Sequence, residues 1–115
     1  LLVCFLSVFN FTDAQNISGT WTGKLDLPTG YLTIVFHLKD SAGMQTGKMD
    51  SPDQHAFGIP VSKIGFNAPD LHMEVANGAI VYDGTVASDS VQGNFKQNGQ
   101  LFPLVLRRTP RSSQD

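Results

Sequence analysis

The chain has 115 residues, a formal net charge of −2 and only 16% charged residues. That length allows one domain, and that charge supplies no basic field to hold nucleic acid phosphates. Eleven glycines and six prolines separate short apolar runs, which predicts many turns and an all-β chain.

Residues 1–11 are almost wholly apolar, interrupted by Cys4, Ser7 and Asn10. A run of this length fits the core of a signal peptide and falls short of the roughly 20 apolar residues of a membrane helix. Thr12-Asp13-Ala14 places small residues where a signal peptidase inspects, so a cut between Ala14 and Gln15 is expected. The chain opens without Met and without a basic segment, so this leader (residues 1–14) reads as truncated at its start. A buried first strand over residues 3–9 is the competing reading; export, to the periplasm or the outside, is favoured. Cys4 is the only cysteine and lies in the leader. The mature domain would then hold no thiol, disulfide or cysteine-based zinc site, and no membrane anchor would survive cleavage.

From Ile17 onward apolar and polar residues alternate with period two, the mark of half-buried strands. Trp21, Gly23, Leu25 and Leu27 form the first inward set, and Pro28-Thr29-Gly30 a turn. Leu32, Ile34, Phe36 and Leu38 form the second set. After a turn at Asp40-Ser41-Ala42-Gly43 comes a weaker strand over residues 44–49, then a loop over residues 50–58. Residues 59–66 are extended, with Pro60 predicting a sheet edge or a strand's first residue. Leu71, Met73 and Val75 lead to Asn77-Gly78, a strong two-residue hairpin signal. Ile80, Tyr82, Gly84 and Val86 follow, then Val91, Gly93 and Phe95. A second hairpin signal, Asn98-Gly99, leads into Phe102, Leu104 and Leu106. Residues 109–115 read as a flexible tail or linker, and Arg107, Arg108 and Arg111 as a solvated basic end.

About eight strands joined by short turns predict an antiparallel up-and-down β-barrel rather than a sandwich with long crossovers. A half-open or flattened form remains open at this point. Gly23, Gly47, Gly84 and Gly93 fall inside strands, where glycine permits the sharp bends a barrel needs. Trp21, Phe36, Phe66, Tyr82, Phe95 and Phe102 all face inward, which argues against a large empty cavity.

Ile17-Ser18-Gly19-Thr20-Trp21-Thr22-Gly23-Lys24-Leu25 resembles the opening of a lipocalin-like (calycin-type) domain of exported bacterial proteins, often found N-terminal to an α/β-hydrolase (serine peptidase or esterase) domain. Met49-Asp50-Ser51-Pro52-Asp53-Gln54 and Gly58-Ile59-Pro60-Val61 look like its middle segment. Tyr82-Asp83-Gly84-Thr85, Gly93-Asn94-Phe95 and residues 102–108 are similar to its closing strands. The likeness spans about residues 16–108. It implies that a basic side chain of the last strand stacks on the first-strand tryptophan; alternation makes Arg108 that residue, with Gly19, Trp21 and Arg108 closing the barrel. One departure matters for chemistry: the Gly-x-Ser-x-Gly nucleophile turn of the hydrolase half does not occur here.

No catalytic residue and no cofactor are expected. His37, His55 and His72 have no metal-ligand spacing, and His37 and His72 take polar alternation positions. Asp50, Asp53 and Asp70 could meet at a barrel mouth, but their spacing matches no calcium loop, so solvated turn residues are favoured. Asn10-Phe11-Thr12 and Asn16-Ile17-Ser18 match glycosylation sequons, incidental in a bacterium. The loop over residues 50–58 is the best place for recognition, with Gln54, His55, Phe57 and Tyr82 as rim residues for a ligand. The alternative for Phe57 is an inward plug. The expected function is that of a non-catalytic exported barrel module that binds a small apolar ligand or packs on a partner domain, with no nucleic acid partner. The alternative is an N-terminal accessory domain of an exported α/β-hydrolase.

Overall fold

The computed structural model describes residues 16–109. The expected leader, its cut after Ala14, Cys4 and the tail beyond Thr109 with Arg111 lie outside them. Eight strands make up the fold: β1 (Gly19–Leu27), β2 (Gly30–Ser41), β3 (Met44–Ser51), β4 (Ala56–Asn67), β5 (Asp70–Val75), β6 (Ile80–Ala87), β7 (Ser90–Gln97) and β8 (Gln100–Arg108). Each pairs antiparallel with the next and β8 returns to β1, so the barrel is closed, not half-open or flattened. Among the described residues no helix is long and apolar enough to cross a membrane.

The alternation read from the sequence sets the two faces of the wall. Trp21, Phe36, Met73, Tyr82, Phe95 and Leu104 are fully buried representatives of six strands. Each such large side chain contributes about 1.5–3 kcal/mol by leaving water. Packed with the other buried apolar residues they form one core cluster inside the barrel.

β4 is the exception. None of its residues is fully buried, and Ile59, Val61, Ile64 and Phe66 pack on the core from half-buried positions. Their numbering explains why, since the apolar positions change from odd to even across Ser62. The register with β5 shifts there, from Val61↔Val75 to Lys63↔Glu74, leaving Ser62 as the extra residue of a bulge. Its hydroxyl accepts the Asn77 N–H at 3.2 Å and donates to the Glu74 carbonyl at 3.0 Å. A second shift separates Ser51↔Ala56 from Met49↔Ile59, where Gly58 takes a φ of 68°.

Three local expectations are corrected. Pro60 lies within β4, opposite Lys48, and not at an edge or strand start. β5 pairs only from Val61 onward, so on that side no ladder bond is asked of the missing N–H. The loop over residues 50–58 shrinks, because β3 runs through Ser51 and β4 starts at Ala56 around one 3-10 turn, Pro52–Gln54. Asn77-Gly78 makes a longer connection than two residues. Pairing ends at Val75↔Ile80, and Ala76, Asn77 and Gly78 all have positive φ. Asn98-Gly99 does close a two-residue hairpin between Gln97 and Gln100, with both φ values positive.

Gly84 faces Gly93 across β6 and β7. A Cβ at Gly93 would be driven into the Asp83 carbonyl oxygen and the Gly84 Cα, both backbone atoms. By contrast, a Cβ at Gly65 would meet nothing within 4 Å. Gly93→Ala should therefore destabilise by about 1–3 kcal/mol, while Gly65→Ala stays within about 0.5 kcal/mol of the parent. Thermal melting of both variants checks this, and equal melting temperatures would contradict the close backbone approach.

Candidate functional site

Antiparallel order places the starts of odd strands and the ends of even strands at one end of the barrel. At that end Trp21 is buried, and its Nε1 donates to the Ile17 carbonyl at 3.0 Å. Ile17 is itself fully buried, so residues 16–18 fold across the opening. The Arg108 guanidinium carbon lies 4.5 Å from the Trp21 ring centroid. Its Nη1 donates to the carbonyls of Asn16 and Ser18, both at 2.8 Å, and its Nε to Asp89 Oδ1 at 2.9 Å. Nη2 reaches the Ser88 carbonyl at 3.3 Å. Gly19 leaves room for this side chain, since a Cβ there would approach Arg108 Cδ to 2.9 Å. Arg108 is thus no solvated basic residue, whereas its neighbour Arg107 is exposed. This end is plugged.

The other end carries the turn at Pro52–Gln54. Here the polar side chains replace missing backbone partners. β2 pairs with β3 only up to Val35↔Asp50, and the free Thr33 N–H donates to Asp53 Oδ2 at 2.8 Å. The Gly58 N–H donates to Asp50 Oδ1 at 2.7 Å, and His37 Nε2 meets Asp50 Oδ2 at 2.7 Å. The Gly58 N–H first, then the His37 ring, hold the Asp50 carboxyl below its ordinary value. Buried Ser51 donates its hydroxyl to Gln54 Oε1 at 2.7 Å. Asp50 and Asp53 are therefore fold-binding acceptors. Asp70 opens β5 at the plugged end, so the three aspartates do not meet.

Of the four expected rim residues, Gln54, His55 and Phe57 lie exposed on one short segment. Phe57 is 63% exposed, so it does not fold inward as a plug. Tyr82 is not with them. It lies fully buried in the core, 6.0 Å from the Phe36 ring, and donates its hydroxyl to the Leu104 carbonyl at 2.7 Å. Burial pushes its ionisation far up. Tyr31 and Leu101 join Phe57 as exposed apolar residues, each at the second position of an even strand, while exposed Met44 opens β3 at the plugged end and Val105 lies along β8. Tyr31, Phe57 and Leu101 thus ring the unplugged end.

Alternation marked His37 and His72 as outward, without their partners. His37 Nδ1 lies 3.4 Å from Thr20 Oγ1 while its Nε2 holds Asp50. The order resembles nucleophile, base and orienting acid, but the ring is 47% exposed and water competes for every link. What it does is tie β1, β2 and β3 together. His72 meets Asp83 through Nδ1 and Glu74 Oε2 through Nε2 at 2.8 Å. Both nitrogens donate only in the imidazolium form. Glu74 foremost, then Asp83, raise its pKa above the ordinary 6.5. The signal was in the register: a turn centred on Asn77 and Gly78 sets His72 opposite Asp83. Among the described residues no group of three His, Cys, Asp or Glu could hold a metal ion. No family model, no curated protein and no solved structure matches the chain.

Two expectations follow. Arg108→Ala removes a cation–π contact and charged hydrogen bonds together, and should cost about 2–3 kcal/mol, a fall in melting temperature of about 10–20 °C. An unchanged melting temperature would remove the plug from the account. For His72 the folded chain binds more protons than the unfolded chain between pH 6.5 and its raised value. Its contribution is therefore complete below 6.5 and is lost as pH rises through the folded-state value. NMR titration of the ring should place His72 above 6.5, with Glu74→Gln and Asp83→Asn each drawing it back; a midpoint at or below 6.5 contradicts the bridge.

Proposed function

We propose that this chain is a non-catalytic β-barrel module of an exported protein, which takes an apolar molecule or a partner domain at its unplugged end. The observation that carries this reading is the position of Tyr31, Phe57 and Leu101, exposed by 57%, 63% and 62% at that end. Exposed apolar residues scattered singly need no explanation; three ringing one end favour an apolar partner there. The filled core supports contact at the rim over a carrier cavity inside. The Gly19-Thr20-Trp21 opening with Arg108 on the indole supports a lipocalin-like relationship.

A second reading, an accessory domain of an exported α/β-hydrolase, rests on the same resemblance. It draws support from Thr109, whose N–H donates to the Thr20 carbonyl at 2.8 Å beside the plug. A domain following residue 109 would attach there and leave the apolar end free. Coding DNA beyond Asp115 separates the readings: an open frame with a Gly-x-Ser-x-Gly turn favours the second, and a stop codon rejects it.

Titration with a fluorescent fatty acid tests the ligand reading. Saturable binding is expected, weakened about tenfold or more by Phe57→Ala through the loss of about 1.5–3 kcal/mol of apolar burial. No saturable signal would sink it.

A further inference from the structure

A depression of about 770 Å³ lies on the outside of the barrel wall across β4, β5, β6 and β7. Its position has a cause in the backbone. Gly65 faces outward without a side chain and leaves one side of it open, while the Gly84↔Gly93 backbone pair forms part of its floor. The outward residues around it form two cross-strand rows. One runs Asn67, Asp70, Thr85, Gln92, and the other runs Gly65, His72, Asp83, Asn94.

The chemistry of this lining excludes two ligand classes. It contains no Lys or Arg and two carboxylates, which disfavours phosphate, sulfate or carboxylate groups. Its outward side chains are three amides, a hydroxyl, an imidazole and two carboxylates, which disfavours a lipid chain. Three carboxamides and one hydroxyl remain, and each both donates and accepts hydrogen bonds. None of them is taken up in the side-chain bonds that knit Asp50, Asp53 and Ser62 into the fold. His72 holds Asp83 through one ring nitrogen and Glu74, outside the depression, through the other, so Asp70 and Asp83 leave the depression mildly acidic and able to accept from hydroxyl groups. A row of four strands at about 4.8 Å spacing extends about 14 Å, which suits a chain of linked rings better than one ring.

We propose that this depression binds a neutral polyhydroxylated ligand, a short linear oligosaccharide. It is separate from the apolar end, and its failure would leave the reading of that end untouched. Backbone-amide NMR on the labelled protein tests it, with cellotetraose, maltotetraose and chitotetraose as neutral probes and spermidine and inorganic phosphate as charged ones. At least one tetrasaccharide should move the resonances of Asn67, Thr85, Gln92 and Asn94 saturably, with a Kd of about 1 mM or tighter. The double variant Gln92→Ala, Asn94→Ala should weaken that binding about tenfold with the rest of the spectrum unchanged. Three results overturn the proposal: no saturable shift with any tetrasaccharide, shifts with spermidine or phosphate alone, or saccharide shifts confined to the Tyr31 and Phe57 end.

Discussion

The stacking of Arg108 on Trp21 is the contact on which closure of this barrel depends. β1 pairs with β2 over nine positions, but with β8 over two, Trp21↔Arg108 and Thr22↔Arg107. Beyond those two positions the seam stays close but loses regular register, with the Val105 carbonyl against Gly23. The guanidinium strengthens it because its donors are set in a planar fork and its face is free to stack. One side chain thereby joins residues 16–18, the turn at Ser88 and Asp89, and the indole. A lysine would supply the charge but neither the fork nor the flat face. With Arg108 only 18% exposed at its side chain and Asp89 72% exposed, the ion pair keeps water on one side and avoids the cost of a fully buried charge.

Irregular pairing is found again in β4, where two bulges interrupt the ladders on either side. Polar side chains repair what the backbone leaves open there: Asp53 serves Thr33, Asp50 serves Gly58, and Ser62 serves Asn77. Segments rich in Asp, Ser and Gln next to a turn look like binding loops in a sequence. In this barrel most of those groups are committed to holding the turn, because a buried or half-buried N–H without a partner costs about 1–3 kcal/mol. Gln54, His55 and Phe57 on that segment keep exposed side chains.

Most of the architecture was legible in residue alternation and turn chemistry. Strand number, barrel type and the inward sets of β1, β2 and β5 to β8 follow from period two. Arg108 follows from the same rule, being two residues past Leu106 on an inward face. Less legible were features that depend on an extra residue. Phe57 shares its odd number with Ile59 and Val61, so simple alternation turns it inward. Gly58, in a left-handed conformation, inserts the bulge that reverses the face. Tyr82 failed as a rim residue for another reason. Alternation placed it inward correctly, but it does not encode height along the barrel axis, and that height puts the ring beside Phe36 in mid-core. The His72 bridge follows from the register of one hairpin, but a lone histidine at a polar position looks merely solvated in a sequence.

Closure also bears on where the proposed ligands act. A core filled by Trp21, Phe36, Tyr82 and Phe95 leaves the outer surface, and its two notable regions differ in what they cost the isolated molecule. The apolar ring of Tyr31, Phe57 and Leu101 is in contact with water at a free-energy penalty of about 25 cal/mol per Å², so covering it is favourable without much demand on geometry. Such a surface suits a lasting neighbour. The polar depression on the wall incurs no penalty in water, since its amides and hydroxyl are solvated. A ligand there must match those groups well enough to displace bound water, which favours specificity and ready release over tight holding. On the proposed readings the two surfaces can therefore act at once: the apolar end docks the module, and the wall samples exchanging ligands.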